Sequence, residues 1–106
     1  MLTIIHPKTK VTIEVADSDL EPMVWEDAEK ACESYGDGWR LPTTLELDTI
    51  CKNLHSNHEG NFLNTDYWSG THSDLYMRKG AYNFERSTPF ASNISNIHSV
   101  RPVREL

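Results

Sequence analysis

One amphipathic stripe between Val24 and Tyr35 constrains the fold of this 106-residue chain more than any other feature. Apolar residues recur there at the three- and four-residue spacing of one helix face, at Val24, Trp25, Ala28, Ala31, Cys32 and Tyr35. Glu26 and Asp27 open the pattern, where acidic side chains suit the helix dipole, and Gly36 follows it as a helix stop. The pattern predicts a helix over residues 24–35 with one buried face.

A second helix is predicted over residues 44–54. Thr43 followed by Glu46 three residues later is a capping-box pattern, which marks the start of a helix. The apolar stripe of this helix consists of Leu47, Ile50, Cys51 and Leu54. Cys32 and Cys51, the two cysteines of the chain, therefore both lie on apolar stripes and lack the CxxC spacing of zinc sites. We expect two buried free thiols.

The rest of the chain favours short strands. Residues 2–15 predict a hairpin, because two β-branched and aliphatic runs flank HPKTK, and residues 16–22 read as a polar loop. From residue 62 to 104 no helical period appears, and β-prone pieces alternate with turn residues: DYWSGTH, LYM, AYNF and HSVRPVREL. Strands and helices are segregated along the chain, which predicts an α+β fold with a mainly antiparallel sheet and long irregular loops. The length suits one domain, residues 1–106.

Charge and hydropathy exclude several classes of protein. The formal net charge is −6, from 10 basic and 16 acidic residues, which argues against nucleic-acid binding because phosphate contacts need clustered cations. No apolar run approaches the ~20 residues of a membrane span. The N-terminal residues do not resemble a signal peptide, so the expected location is cytoplasmic. An extracellular or phage-associated location fits a fragment, or a protein exported without a signal.

Several motifs together resemble a known family. VWEDAEKACESYGDGWRLPT is similar to the opening of C-type-lectin-like domains, in which a Trp–x–x–Ala–x–x–x–Cys helix ends at a glycine. WRLPT, then EL, GNF, YWSG, AYNF and VRPVR resemble, in that order, the bacterial Lcl C-terminal domain family, from about Trp25 to Arg104. That family lies near the C-type-lectin-like and formylglycine-generating-enzyme-like folds. The resemblance implies a C-type-lectin-like fold of two helices on a small sheet, with ligands bound on irregular loops.

The sequence departs from sugar-binding members of this fold group. Their calcium loop carries Glu–Pro–Asn or Gln–Pro–Asp, whereas the Glu21–Pro22 of this chain stands before the first helix, and no Trp–Asn–Asp is present. Cys32 matches the helical cysteine of the lectin disulfide, but the last strand holds no partner cysteine. We therefore expect no calcium and no other cofactor.

The connector GDGWRLPT is interpreted as a structural clasp. Trp39 would enter the core between the helices, and Arg40 would donate hydrogen bonds to nearby carbonyls and a carboxylate, which suits its planar five-donor fork. The predicted core includes Trp25, Trp39, Leu41, Leu47, Ile50 and Trp68. Together with Cys32, Arg40 and Arg101, the tryptophans are assigned structural roles.

The predicted function is non-catalytic recognition of a glycan or a protein by the segment 71–96, in the manner of an adhesin-like module. Aromatic, amide and charged side chains gather there, and such groups stack on sugars, bond hydroxyls or form protein hot spots. The candidate ligand-binding residues are His72, Asp74, Tyr76, Arg78, Lys79, Tyr82, Asn83, Glu85, Arg86, Asn93 and Asn96.

Two alternatives stay open. His55, His58 and His72 are candidate ligands of a small metal-dependent hydrolase, although the spacing fits neither HExxH nor HxxEH. The segment 71–96 is also a candidate contact between copies of the chain, as in an oligomerising tip domain. No nucleophile stands in a recognised catalytic motif: Ser69 lies in WSGT, outside G-x-S-x-G. We therefore predict that the protein is not an enzyme.

Overall fold

The computed structural model describes residues 1–106 and contains eight strands, two α-helices and one 3₁₀ turn at His55–Asn57. The helices are α1 (Trp25–Tyr35) and α2 (Thr44–Asn53). The strands are β1 (Leu2–Ile5), β2 (Thr12–Val15), β3 (Leu20–Met23), β4 (Asp66–Trp68), β5 (Arg78–Asn83), β6 (Thr88–Asn93), β7 (His98–Val100) and β8 (Val103–Glu105). Neither helix has the length and apolarity that crossing a bilayer requires.

The strands form two sheets, of orders β1-β2-β8 and β3-β7-β4-β5-β6. Every pair of strands is antiparallel except β4 and β7, which run parallel. An isolated bridge between Arg40 and Val103 connects the interhelical connector to β8. Two helices on small, mainly antiparallel sheets confirm the predicted α+β class.

Two apolar clusters make up the core. The first packs α2 and the N-terminal hairpin against one side of the larger sheet, and its members include Ile13, Leu47, Ile50, Tyr67 and Phe84. The second packs α1 on the other side of that sheet, with Ala28, Cys32, Leu41, Trp68, Ala81 and Val100. Because helices cover both sides, buried residues follow one another in β4 and β5 without alternating.

Trp68 is fully buried, as predicted, and its indole N–H donates to the Met23 carbonyl at 2.8 Å. The prediction that Trp39 is a core residue is wrong, since Trp39 is only half-buried and belongs to neither cluster. Trp25 is also half-buried, but it packs against the second cluster. Trp39 lies at the surface, where its ring meets Tyr35 edge-on at 4.9 Å and the Arg104 guanidinium at 4.8 Å. The connector therefore runs over the edge of the core, and Leu41 and Pro42 are its buried residues.

Two strands differ from the sequence prediction. β3 occupies part of the predicted polar loop, and β6 occupies a stretch interpreted as turn residues, whereas the predicted strand LYM is a loop. β3 and β6 are the two edges of the larger sheet, and each contains a proline, Pro22 and Pro89. Proline is tolerated at a sheet edge because its missing N–H can face solvent, so the turn-like composition was misleading.

The predicted closing strand from Val100 to Val103 is two strands that belong to different sheets. β7 ends at Val100 in the larger sheet, and β8 begins at Val103 in the smaller one. Pro102 lies at the corner, where it cannot donate to either ladder. The buried side chain of Arg101 occupies the same corner.

Both cysteines are expected to resist a thiol-exchange reagent in the native protein. Cys32 and Cys51 are buried and free, and burial, with a smaller contribution from Glu33, raises the pKa of Cys32 to about 12. Since the thiolate is the reactive form, modification should follow unfolding. The measurement is absorbance on reaction with a chromogenic disulfide, with guanidinium-unfolded protein as the control. Rapid release of two equivalents from native protein would contradict the assignment.

Candidate functional site

The predicted binding segment 71–96 contains more regular structure than expected. It consists of an exposed loop over residues 71–77, then the hairpin β5–β6, then a turn over residues 93–97. The segment treated as loops therefore contains the β5–β6 hairpin, of which the sequence predicted only the AYNF strand. Outside the hairpin, the loop 71–77 and the turn 93–97 remain as irregular stretches whose side chains can contact a ligand.

Four of the candidate ligand-binding residues form side-chain hydrogen bonds within the protein. Tyr82 is fully buried, and its hydroxyl donates to Asp48, so it cannot stack on a sugar. Burial raises the pKa of Tyr82, and the Asp48 carboxylate adds to the shift. The Asn83 amide donates to Asp66 on β4 and accepts from the Arg86 N–H. The Asn93 amide oxygen accepts from Ser95, and the Asn96 amide nitrogen donates to Ser92.

Every candidate except Tyr82 is at least partly accessible, and the side chains of seven of them are free of these bonds within turns and strands: His72, Asp74, Tyr76, Arg78, Lys79, Glu85 and Arg86. His72 and Asp74 face each other across the loop, with Nε2 and Oδ1 3.8 Å apart. Glu85 and Arg86 lie at the turn of the β5–β6 hairpin, beside a polar depression of 350 Å³. The accessible residues thus divide between the two ends of the hairpin.

An apolar ridge, made of Leu75, Tyr76, Met77 and Ile94, is the most unusual surface feature. Tyr76 is 89% exposed, Leu75 59% and Met77 47%, three consecutive large side chains facing water. Contiguous exposed apolar groups of this kind mark interaction sites on soluble proteins. Of these residues, the sequence analysis identified Tyr76 alone, because it selected aromatic, amide and charged side chains and not aliphatic ones.

Backbone hydrogen bonds hold the ridge in place. The Arg78 N–H donates to the Leu75 carbonyl at 3.2 Å, which closes a tight turn, and Met77 adopts a left-handed φ of 58° within it. The Ile94 N–H donates to the Met77 carbonyl at 2.9 Å and joins the two loops. A left-handed φ at a side chain such as Met disfavours the turn locally. The two backbone hydrogen bonds thus stabilise a loop conformation that the local sequence disfavours.

Beside the ridge lies a groove of 610 Å³, here called the Trp25 groove. Its lining residues are Val24, Trp25, Glu26 and Glu29 from the start of α1, and Met77, Lys79, Ile94 and Ser95 from the two loops. The Trp25 indole N–H donates to the Ser69 carbonyl at 2.9 Å, and the Lys79 ammonium lies 4.6 Å from the ring centroid. The groove therefore combines an apolar lining with charges of both signs.

The three histidines of the metal-hydrolase alternative do not form one ligand cluster, although His55 and His58 line a common depression. His55 Nε2 is bonded to Asn64 Oδ1 at 2.5 Å, and its ring packs near Phe84. No group of three or more His, Cys, Asp or Glu side chains has the arrangement of a metal site. The set His55, His58 and His72 is therefore not a ligand set in this structure.

A Ser–His–Asp arrangement escaped sequence reasoning because its members lie on three strands. His98 Nε2 is 2.7 Å from Ser92 Oγ, and His98 Nδ1 is 3.9 Å from Asp66 Oδ2. Burial lowers the pKa of His98, and the Asp66 carboxylate opposes that shift. Ser92 is only 3% exposed and also accepts from the Asn96 amide at 3.0 Å. Its hydroxyl is closed to substrate, and the arrangement holds the 93–97 turn on the sheet.

Comparison with known proteins establishes the fold. No protein-family model matches the chain, and no curated protein matches its sequence. Among solved structures it is similar to botrocetin, with a TM-score of 0.62 and 15% identity over 90% of each chain. A complex of botrocetin with a mutant von Willebrand factor A1 domain gives a TM-score of 0.58 and 14% identity, again over 90% of each chain.

The chain therefore has a C-type-lectin-like fold, as its motifs implied. The narrower resemblance to the Lcl C-terminal family receives no support from these matches and stays a prediction. At such low identity the likeness shows the fold alone, and the function must be argued from the surface.

Proposed function

We propose that this chain is a non-catalytic module that recognises a protein partner through the apolar ridge and the Trp25 groove. The observation that carries the proposal is the exposure of Leu75, Tyr76 and Met77 in a loop fixed by backbone bonds. Tyr and Met are enriched in the centres of protein interfaces, and a preformed loop loses little entropy on binding. The ridge has the composition and the rigidity of such a centre.

A protein fits this surface better than a glycan does. Sugar recognition combines an open aromatic face with amides that bond the hydroxyls. Tyr76 offers such a face, but the side chains of Asn83, Asn93 and Asn96 each have a partner within the protein. The Trp25 ring is covered on one face by Lys79. Botrocetin has been solved with a protein partner, the von Willebrand factor A1 domain, so a similar fold is compatible with this class of ligand. The proposed contact uses side chains alone and needs no calcium.

Changing Tyr76→Ser together with Met77→Ser is expected to weaken partner binding by about 30-fold, the loss typical of one hot spot. The matched control is Leu63→Ser, which removes a side chain of similar exposure, 56%, outside the ridge. Proteins captured from the native host by wild type, ridge variant and control are compared by quantitative mass spectrometry. The dissociation constant of the best purified candidate is then measured by interferometry.

Three further measurements separate the alternatives. A glycan array screened with wild type and ridge variant tests sugar binding, and glycans bound equally by both would contradict the proposal. Binding abolished by a chelator would contradict calcium independence. Molar mass in solution tests the oligomerising alternative, since an assembly disrupted by the ridge variant would assign this surface to a second copy of the chain.

A further inference from the structure

We infer that the segment bound in the Trp25 groove is basic as well as apolar: a stretch of partner protein that places a large apolar side chain against Trp25 and a lysine or arginine beside Glu26 and Glu29. This inference rests on the proposed function and adds the chemical class of the partner.

The apolar part of the groove sets the first requirement. Trp25, Met77 and Ile94 line it together, and none of them is fully buried. The Trp25 indole is held by its bond to the Ser69 carbonyl, so the ring presents a fixed surface. An occupant that covers these groups gains by removing apolar surface from water, which supplies most of the affinity.

The charges set the second requirement. Glu29 has no cationic nitrogen within 4.0 Å of its carboxylate, and Glu26 pairs only with Lys30, at 3.3 Å and with both side chains largely exposed. Lys79, which also lines the groove, lies over the Trp25 ring and forms no ion pair with either acid. The first turns of α1 therefore present negative charge to any occupant, on a chain of net charge −6.

Charges at the rim of an interface act on partner choice more than on affinity. A complementary cation speeds association and orients the bound segment, while an acidic segment is repelled from the same place. The groove would thus select among apolar segments by their charge. Binding of the selected segment should weaken as salt rises, because exposed pairs are screened.

A phage-displayed random peptide library selected on the whole chain tests this inference. Three proteins are used: wild type, a groove variant with Glu26→Lys and Glu29→Lys, and a control with Asp27→Lys and Glu33→Lys. The control makes the same change of charge on the same helix with two acids that do not line the groove. Peptides selected on wild type should pair lysine or arginine with a large apolar residue.

A selected peptide, synthesised and labelled, is expected to bind the groove variant about tenfold more weakly, as two exposed charge pairs would predict. Its affinity for the control should stay within about twofold of wild type. Selection on the groove variant should in turn enrich aspartate or glutamate. If either variant fails to fold, the salt dependence of wild-type binding remains as the readout, and affinity unchanged by salt would overturn the inference.

The outcomes also distinguish the two proposals. Neutral or acidic peptides that still lose affinity on Met77→Ser would overturn the basic segment and leave protein recognition standing. Peptides insensitive to Met77→Ser, Tyr76→Ser and the groove variant would contradict both. Failure to select any peptide would overturn the inference that the groove takes a linear segment.

Discussion

Replacing Arg101 by methionine is expected to lower the free energy of unfolding by about 3–5 kcal/mol, the typical cost of breaking a buried ion pair. The Arg101 side chain is fully buried, with Nε donating to Asp19 at 2.6 Å. Its other nitrogens donate to the carbonyls of Ala16 at 2.9 Å and Gly60 at 2.8 Å, and the guanidinium lies 4.0 Å from the Phe62 ring centroid. Methionine fills similar space but leaves all three acceptors without this donor.

Arg104→Met is the matched control for this prediction. Arg104 also pairs with a carboxylate, Glu14 at 2.8 Å, but its side chain is partly exposed, so water replaces the lost contact. The expected loss is about 1 kcal/mol or less. Urea unfolding followed by tryptophan fluorescence gives both values, provided that the slope against denaturant is unchanged. Equal losses for the two variants would show that the Arg101 network contributes no more than a surface pair.

The Arg101 network shows what tertiary structure adds to the sequence. Asp19 also accepts from the Tyr67 hydroxyl at 2.7 Å, and burial raises the pKa of Tyr67, with the Asp19 carboxylate adding to the shift. One aspartate thus joins the loop before β3 to β4 and to the corner between the sheets. The resemblance in VRPVR marked Arg101 as structural, but its partners are 41 to 85 residues away along the chain. Contacts between residues so far apart along the chain cannot be predicted from composition or local pattern.

The helices were predictable because their signals are local. The stripe that ends at Gly36 and the capping box of Thr43 and Glu46 each depend on residues within a few turns, and α1 and α2 begin and end within about one residue of the prediction. The edge strands were not predictable, since prolines such as Pro22 and Pro89 indicate a turn until the sheet order is known. Local sequence patterns therefore predict the helices, whereas the order of strands in the sheet determines where a strand can contain a proline.

The candidate binding surface was likewise only partly predictable from local sequence. Sequence reasoning weighted residue types, so it included Tyr82, which the two-sided burial of β5 removes from the surface. It missed Trp25 as a groove residue, because an apolar residue on a helical stripe predicts core packing. Leu75 and Met77 are exposed in a turn that the Arg78 N–H closes on the Leu75 carbonyl and that the Ile94 N–H joins to the 93–97 turn. The strand register therefore determines which side chains are accessible, and residue type alone does not predict it.

Arg40→Ala is expected to cost about 3 kcal/mol of unfolding free energy while leaving partner binding by the folded protein unchanged. Arg40 donates to both carboxylate oxygens of Glu46, at 2.7 and 2.8 Å, and to the Leu41 carbonyl at 3.2 Å. Glu46 is only 1% exposed, so the alanine variant leaves a buried carboxylate without its cation. Lys52→Ala, which breaks an exposed pair with Asp48, is the control and should cost about 0.5 kcal/mol or less.

Acid titration of the Arg40→Ala effect identifies its cause. Burial favours a higher pKa for Glu46, but the hydrogen bonds from Arg40 and the Thr43 N–H, with the Arg40 charge, outweigh it and hold the pKa below its usual value. A depressed carboxyl pKa stabilises the fold above the unfolded pKa of about 4.3, and that stability is lost as pH falls through the folded pKa. The difference in stability between wild type and Arg40→Ala should therefore be largest where Glu46 is ionised in both folded proteins. It should shrink as falling pH protonates Glu46, first in the variant, where Arg40 no longer offsets burial, and then in wild type. A second test is the variant Glu46→Gln, which removes the buried charge that Arg40→Ala leaves unpaired. In that background Arg40→Ala should cost clearly less unfolding free energy. A double-mutant cycle measures this coupling. A cost that is independent of pH and of Glu46→Gln would assign the role of Arg40 to packing against the connector.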